Sequence, residues 1–505
     1  MRKSTSSPSV SVRRTYLDTP LIEFSDHPDD WWRIRDAVRG VQIFGSIGSG
    51  KTSGSGQTIA MNYLSHGFGG LVLCAKPGEA KDWLKYAEKA GRSDDIILFQ
   101  EGSKYQFNFL EYESTRPTKG GGLTFNLTEL FMTAFKMGQR ISGSNSEERE
   151  KFWENALKRC INRLIDILKL SGEKVSVFNM VEVLNTAPLD IKTAVEISQL
   201  EDEQIEKLCK ANLCIKCLYH AGVNSVSPQQ IRDFNLVSNY FLRDFAMLDD
   251  RTRSNIKETF LGYAEPFLSG ILNDHFTTTI NITPEDTFEG KIIIMDFSVK
   301  DYLVSGIYAQ CLFKYLWQQA VERRTVTDDT KPVFLWVDES QYFVNEYDTI
   351  FQTTARSSRA CTVFLTQNIS NYHAQMGGKE SDARVSSLLG NLATTIFHAN
   401  SDSKTNQYAS IMIGNALGNK GNISINRDAH LNYTTGKTES LNSGYMPQVE
   451  PRLFTTLKAG GEQNNCQVEG VIVVSGKVWS DGKNFNYVMF EQNSDELEPE
   501  ENIEI

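Results

Sequence analysis

The octapeptide Gly45-Ser46-Ile47-Gly48-Ser49-Gly50-Lys51-Thr52 has glycines, a lysine and a hydroxyl at the spacing of a phosphate-binding P-loop. Its glycines let successive backbone N–H groups curl around phosphate oxygens, and a helix N-terminus behind them adds partial positive charge. Gly45 through Ser53 then form the cradle. Lys51 is placed to reach the β- and γ-phosphates, and the Thr52 hydroxyl to complete an Mg²⁺ shell. The apolar run Val41-Gln42-Ile43-Phe44 precedes the loop and the helix-like Ile59-Ala60-Met61-Asn62-Tyr63-Leu64 follows it. That strand–loop–helix context weighs against a Gly/Ser-rich surface loop that contains Gly-Lys-Thr by accident. The pattern implies binding of a nucleoside triphosphate.

A second set of residues bears on hydrolysis. Val333-Phe334-Leu335-Trp336-Val337 reads as a buried strand that delivers Asp338 and Glu339 at its tip. Asp338 would hold Mg²⁺ through water, and Glu339 would polarise the attacking water. Two adjacent carboxylates favour ATP hydrolysis over a GTP switch, and Asn419-Lys420-Gly421-Asn422 lacks the Asp of a guanine-reading element. The strand Cys361-Thr362-Val363-Phe364-Leu365 ends at Thr366-Gln367, which puts an amide beside the acidic strand to sense the γ-phosphate or the lytic water. Arg356 and Arg359 lie on a short polar segment before that strand. One of them could cross a subunit boundary and stabilise charge on the transferred phosphoryl group. For Arg359 a local ion pair is an equal reading.

The strings GSIGSGKTSGSG, LWVDESQYF, ARSSRACTVFLTQN, LLGNLATTIFHANSD and YMPQVEPRLFTTLKAGG resemble those of type IV secretion coupling proteins. These are the TraG/TraD-type conjugative DNA-transfer ATPases, within the FtsK–HerA class of P-loop motors. The resemblance runs from about Val41 to Gln492. It implies Lys51 and Thr52 for nucleotide and metal, Asp338 and Glu339 for metal and water, Arg356 as a finger acting in trans, and Gln367 as sensor. ATP and Mg²⁺ are the implied cofactors, and a hexameric ring that moves DNA is the implied assembly. Coupling proteins usually carry N-terminal membrane helices, and this sequence departs from them there.

The longest apolar runs, such as Ile292-Ile293-Ile294-Met295, are strand-length and far from the roughly 20 residues that cross a bilayer. The basic Met1-Arg2-Lys3 start has no apolar segment behind it. A cytoplasmic protein without its own membrane span is therefore expected. A net charge of −11 argues against extensive basic patches, although a ring needs only a few basic groups facing its channel. Cys209, Cys214, Cys217 and His220 could ligate zinc by spacing, but Ile205–Asn212 has helical apolar spacing with no loop-forming Gly or Pro. Cys214 and Cys217 are read as continuing that helix's buried face as small core hydrophobes.

The sequence predicts an α/β, RecA-like P-loop motor domain with an inserted all-α domain. Residues 1–19 read as a flexible arm, and 20–119 and 282–492 as the two parts of the motor. Residues 120–281 read as the helical insertion and 493–505 as an acidic disordered tail. Phe152, Trp153, Ala156, Leu157, Cys160, Ile161, Leu164, Ile165 and Leu168 recur at helical spacing, and Asp190–Leu200, Val237–Met247 and Ser254–Ile271 read as further helices. Trp31 and Trp32 could pack near an adenine or against the sheet, and Gly421–Met446 reads as a long mobile loop. That loop around Asn422–Asn432, with Arg251, Arg253 and Lys257, would supply DNA contacts. Partners would be DNA, further copies of the chain, and a secretion-channel, relaxase or effector protein. The competing reading is a regulatory or defence-associated ATPase whose ring assembles or activates an effector, or one that threads a polypeptide.

Overall fold

Successive residues of one strand enter two different apolar clusters. Val333, Leu335 and Val337 join the first, and Phe334 and Trp336 join the second. Ile293 and Met295 likewise separate from Ile292 and Ile294. Burial on both faces turns strand alternation into a continuous apolar run, the pattern of a parallel sheet covered on each side. The computed structural model describes residues 15–142, 150–377, 380–427 and 434–492. The expected arm up to residue 14 and the acidic tail lie outside the described residues, as do residues 428–433 and the side chains of Phe152 and Trp153.

The strands are β1 (Pro20–Glu23), β2 (Trp31–Arg33), β3 (Val41–Phe44), β4 (Gly69–Leu73), β5 (Ile96–Gln100), β6 (Ile292–Asp296) and β7 (Val333–Val337). They continue with β8 (Ala360–Thr366), β9 (Thr394–Phe397), β10 (Asn415–Arg427), β11 (Thr434–Pro447), β12 (Gln467–Val474) and β13 (Phe485–Glu491). Nine of them form one sheet in the order β13-β12-β9-β3-β8-β7-β4-β6-β5. From β9 through β5 every pair is parallel, and β12 and β13 add an antiparallel edge. Helices Gln57–Ser65 and Glu79–Lys89 cover one face. There Trp83 stacks on Phe334 at 5.5 Å and meets Trp336 edge-on at 5.3 Å. The other face is covered by helix Val299–Arg323 and by the helical segment between β5 and β6. Trp32 settles against the sheet: it is fully buried, its Nε1 donates to Thr394 Oγ1 at 3.1 Å, and it stacks on Tyr63.

The segment from Phe109 to Phe276 contains no named strand among its described residues. The helix Glu150–Ser171 buries Leu157, Cys160, Ile161, Leu164, Ile165 and Leu168 on one side, as their 3–4 spacing predicts. Three expectations need correction. Ser254–Ile271 is not one helix: Pro266 lacks an N–H, and the chain breaks into Asp250–Ala264, a 3₁₀ turn Glu265–Phe267 and Gly270–Phe276. The cysteine segment is two helices, Asp202–Cys209 and Leu213–Asn224, because Asn212 caps the second with its side chain. Cys214 and Cys217 are buried in the core as read, and burial pushes both thiols up, Cys217 to about 11. The described parts of Gly421–Met446, Gly421–Arg427 and Thr434–Met446, are not loop but strands of the antiparallel ribbon β10–β11. A two-stranded ladder draws on backbone groups, so its Asn, Ser and Thr residues do not prevent it. Among the described residues no helix is long and apolar enough to cross a membrane.

Candidate active site

Parallel strands present their C-terminal tips to one edge of the sheet, where α/β proteins bind ligands. β3 runs into the P-loop and its neighbour β8 runs into Gln367. β7, beyond β8, ends at Asp338 and Glu339, and β4, beside β7, leads to Lys76. One edge thus collects the loop, two carboxylates, an amide and a second lysine.

Gly48 and Gly50 hold φ of +71° and +77°, a left-handed backbone that side chains resist. A Cβ on Gly50 would also fall 2.5 Å from Val468 Cγ2. Ser49 Oγ is buried with no partner among the described residues, an orphaned polar atom inside the cradle. The turn Thr52–Gly56 is π-helical and leads into Gln57–Ser65, which aims its N-terminus at the loop. Thr52 Oγ1 donates to Asp338 Oδ2 at 3.0 Å. A hydroxyl and a carboxylate held together beside a lysine suit a hard cation that bridges phosphate oxygens. The residues present fit a nucleotide phosphate with Mg²⁺.

Glu339 is 3 % exposed and has φ +45°, a left-handed conformation costing a glutamate on the order of 1–3 kcal/mol. Its N–H donates to Asp338 Oδ1 at 2.7 Å, which pins the strained turn. Lys76 Nζ donates to Glu339 Oε1 at 2.6 Å and Gln341 Nε2 to Oε2 at 2.9 Å. Gln367 Nε2 lies 3.4 Å from both oxygens, and Lys51 Nζ lies 3.9 Å from Oε1. Burial alone would raise the Glu339 carboxyl, but these donors and the two lysine charges outweigh it and hold the carboxyl below its ordinary value. Burial likewise lowers Lys76, and Asp338, Glu339 and Glu79 together lift it above the usual lysine range. An anionic carboxylate beside the P-loop can accept a hydrogen from water.

Arg356 does not join this cluster. It is exposed just before β8 begins, at the opposite edge of the sheet. The seven residues of β8 separate it from Gln367, about 23 Å at 3.3 Å per residue. Arg359 is buried with φ +51° and donates to the carbonyls of Asp328 (3.0 Å) and Thr330, so it makes local backbone bonds and, among the described residues, no ion pair.

Residues 332–454 match the family described as the TraM recognition site of TraD and TraG, a span that holds Asp338, Glu339, Arg356 and Gln367. The unbound bacterial conjugative coupling protein TrwBdeltaN70 aligns with a TM-score of 0.53 at 10 % identity, covering 92 % of this chain and 87 % of that one. The chain has the fold of a type IV coupling protein. The plasmid coupling protein TrwB in complex with the non-hydrolysable GTP analogue GDPNP gives 0.52 at 11 % identity, over 91 % and 87 % of the two chains. The same protein with ADP and Mg²⁺ gives 0.51 at 11 %, over 92 % and 87 %. No curated protein sequence matches the chain.

In this coupling-protein fold several residues not singled out from the sequence touch the site. Besides Lys76 and Gln341, Glu79 is half-buried, its Oε1 is sealed from solvent with no partner among the described residues, and its carboxyl is pushed up by burial and by Asp338. Asn400 Nδ2 donates to the Gln367 carbonyl at 2.8 Å. Gln492 Nε2 donates to Ser53 Oγ at 2.6 Å, and His398 contacts Ser55 Oγ at 2.6 Å. Most of them lie just past a strand tip of the same sheet, and scanning every tip would have found Lys76, His398, Asn400 and Gln492.

Proposed function

We propose that this chain is an ATP-hydrolysing ring motor of the FtsK–HerA class that moves DNA in the cytoplasm, working as type IV coupling proteins do. The observation that carries the reading is the Thr52–Asp338 pair, with Glu339 one residue on and the P-loop strand two strands away. Gly45 through Ser53 cradle the phosphates, Lys51 neutralises the β- and γ-oxygens, and Thr52 and Asp338 hold Mg²⁺. Glu339 orients the attacking water, and Gln367, within reach of Glu339, senses the γ-phosphate. The exposed position of Arg356 at the far edge of the sheet supports a trans role, since its side chain cannot span the sheet to its own subunit's phosphates. A hexamer would bring it to the next site.

The motor comprises residues 20–119 and 282–492, with 120–281 inserted. Arg251 and Lys257, on helix Asp250–Ala264, and the ribbon β10–β11 are the suggested DNA contacts. Arg253 is committed to Asp250 and to the Leu248 carbonyl. The TraM-recognition description of residues 332–454 supports a protein partner from the DNA-processing or channel machinery. The test is ATP turnover of the assembled protein with duplex DNA, single-stranded DNA or none, at low and at physiological salt. Severalfold stimulation that fades as salt rises is expected, because each phosphate contact releases counterions, and with few contacts the fading is gradual. Unchanged turnover with either DNA, alongside stimulation by a protein partner, would point to an effector-assembling ring.

A further inference from the structure

Lys76 follows β4 and opens the turn Lys76-Pro77-Gly78 into the helix Glu79–Lys89. Its Nζ is 2.6 Å from Glu339 Oε1, against 3.9 Å for Lys51 Nζ to the same oxygen. The partners differ in freedom: the Lys76 side chain is 40 % exposed and that of Glu339 is 4 %. Glu339 Oε2 is taken by Gln341, which is buried and locked in turn by a bond of 2.7 Å from Thr366 Oγ1 to its Oε1. Both carboxylate oxygens therefore already accept from protein donors. An ammonium at 2.6 Å takes one of the two acceptor positions of Oε1 and draws down its basicity, so that oxygen takes a hydrogen from an attacking water less readily than a free one. Lys76 is the donor best able to leave: its ammonium carries three N–H groups, its stem is half in solvent, and it stands beside the P-loop edge.

We propose that Lys76 is a positioning residue that latches Glu339 in the resting site and frees Oε1 by moving to the γ-phosphate of bound nucleotide. The latch rests on the hydrolytic reading above. It makes the availability of the carboxylate depend on the presence of a triphosphate, so that a site without one keeps its base occupied. The strained Glu339 backbone agrees with this, since side chains held in rare conformations cluster at switches.

The test measures nucleotide binding and polymer-free turnover of the full chain and its variants. Lys76→Met is expected to lose severalfold in affinity for a non-hydrolysable ATP analogue while its affinity for ADP moves by less than about threefold, because only the triphosphate draws the lysine from Glu339. Lys76→Arg, which keeps the cation, is expected to retain most of the preference for the triphosphate. Melting temperatures of nucleotide-free wild type, Lys76→Met, Glu339→Gln and the double variant supply a readout independent of turnover. The two substitutions should be non-additive, and the non-additivity should shrink when Mg²⁺ and a non-hydrolysable ATP analogue are added. An unchanged preference for the ATP analogue over ADP in Lys76→Met, or additive melting shifts, would overturn the latch. Wild-type turnover equal to that of Glu339→Gln would remove the hydrolytic reading itself, and the latch with it.

Discussion

At the tip of β9, His398 is sealed from solvent between the turn after the P-loop and β12. Its Nδ1 donates to the Glu469 carbonyl at 2.8 Å, which leaves Nε2 to accept from Ser55 Oγ. Burial, helped by the nearby Lys51 charge, pushes the imidazole down to about 4 against the pull of the Glu469 carbonyl. The unfolded chain, with a histidine near 6.5, therefore takes up this proton more readily than the folded one. The contribution is fully present above pH 6.5 and is lost as pH falls toward 4, on the order of 3 kcal/mol. Urea midpoints followed across that window should fall more steeply for wild type than for His398→Asn. Parallel slopes would mean that His398 is not held neutral. Because the imidazole also holds Ser55, the same titration loosens the first turn behind the P-loop.

Strands β4 and β7 show how closely two elements of the sheet are fitted. Phe334 is fully buried between Trp83 and Tyr63, and a Cβ added to Gly70 would fall 2.5 Å from its ring. Gly70→Ala should cost roughly 1–3 kcal/mol, and Phe334→Leu in that background should recover part of it. Denaturation midpoints of the two single variants and the pair check this, and a pair as unstable as the sum of its parts would contradict it. The strands themselves were legible in sequence because each is a short apolar run bounded by polar residues, and Asp338, Glu339 and Gln367 are marked by their places at run ends. Lys76 was not legible in the same way. A lysine after a strand ordinarily reads as solvated, and only the sheet order sets β4 beside β7 and so puts an ammonium on Glu339. The ribbon β10–β11 was hidden by composition, since its Gly, Asn and Ser residues mimic a loop while cross-strand pairing is a long-range property. Pro266 was visible, yet its break in a helical pattern was read through.

For the whole molecule, the chain holds the proposed phosphate-binding parts at one edge of its sheet and Arg356 at the other. A head-to-tail ring is the arrangement in which both edges serve one site. Arg356→Ala should bind ATP but hydrolyse it poorly, and Lys51→Ala should fail at binding. Mixing the two should restore part of the turnover, because some interfaces pair an intact loop with an intact arginine. No rescue despite demonstrated subunit exchange would count against the trans role. The order of strands also bears on how the chain is made. β3 lies between β8 and β9, and 343 residues separate Ser55 from His398. During synthesis at about 5–20 residues per second, β3 waits on the order of tens of seconds with both edges bare. A nascent chain with an apolar strand unpaired on each side is a target for aggregation, and for any chaperone that covers strand edges. Nor can nucleotide protect it in that interval, because the carboxylate that meets Thr52 is 286 residues further along and not yet made.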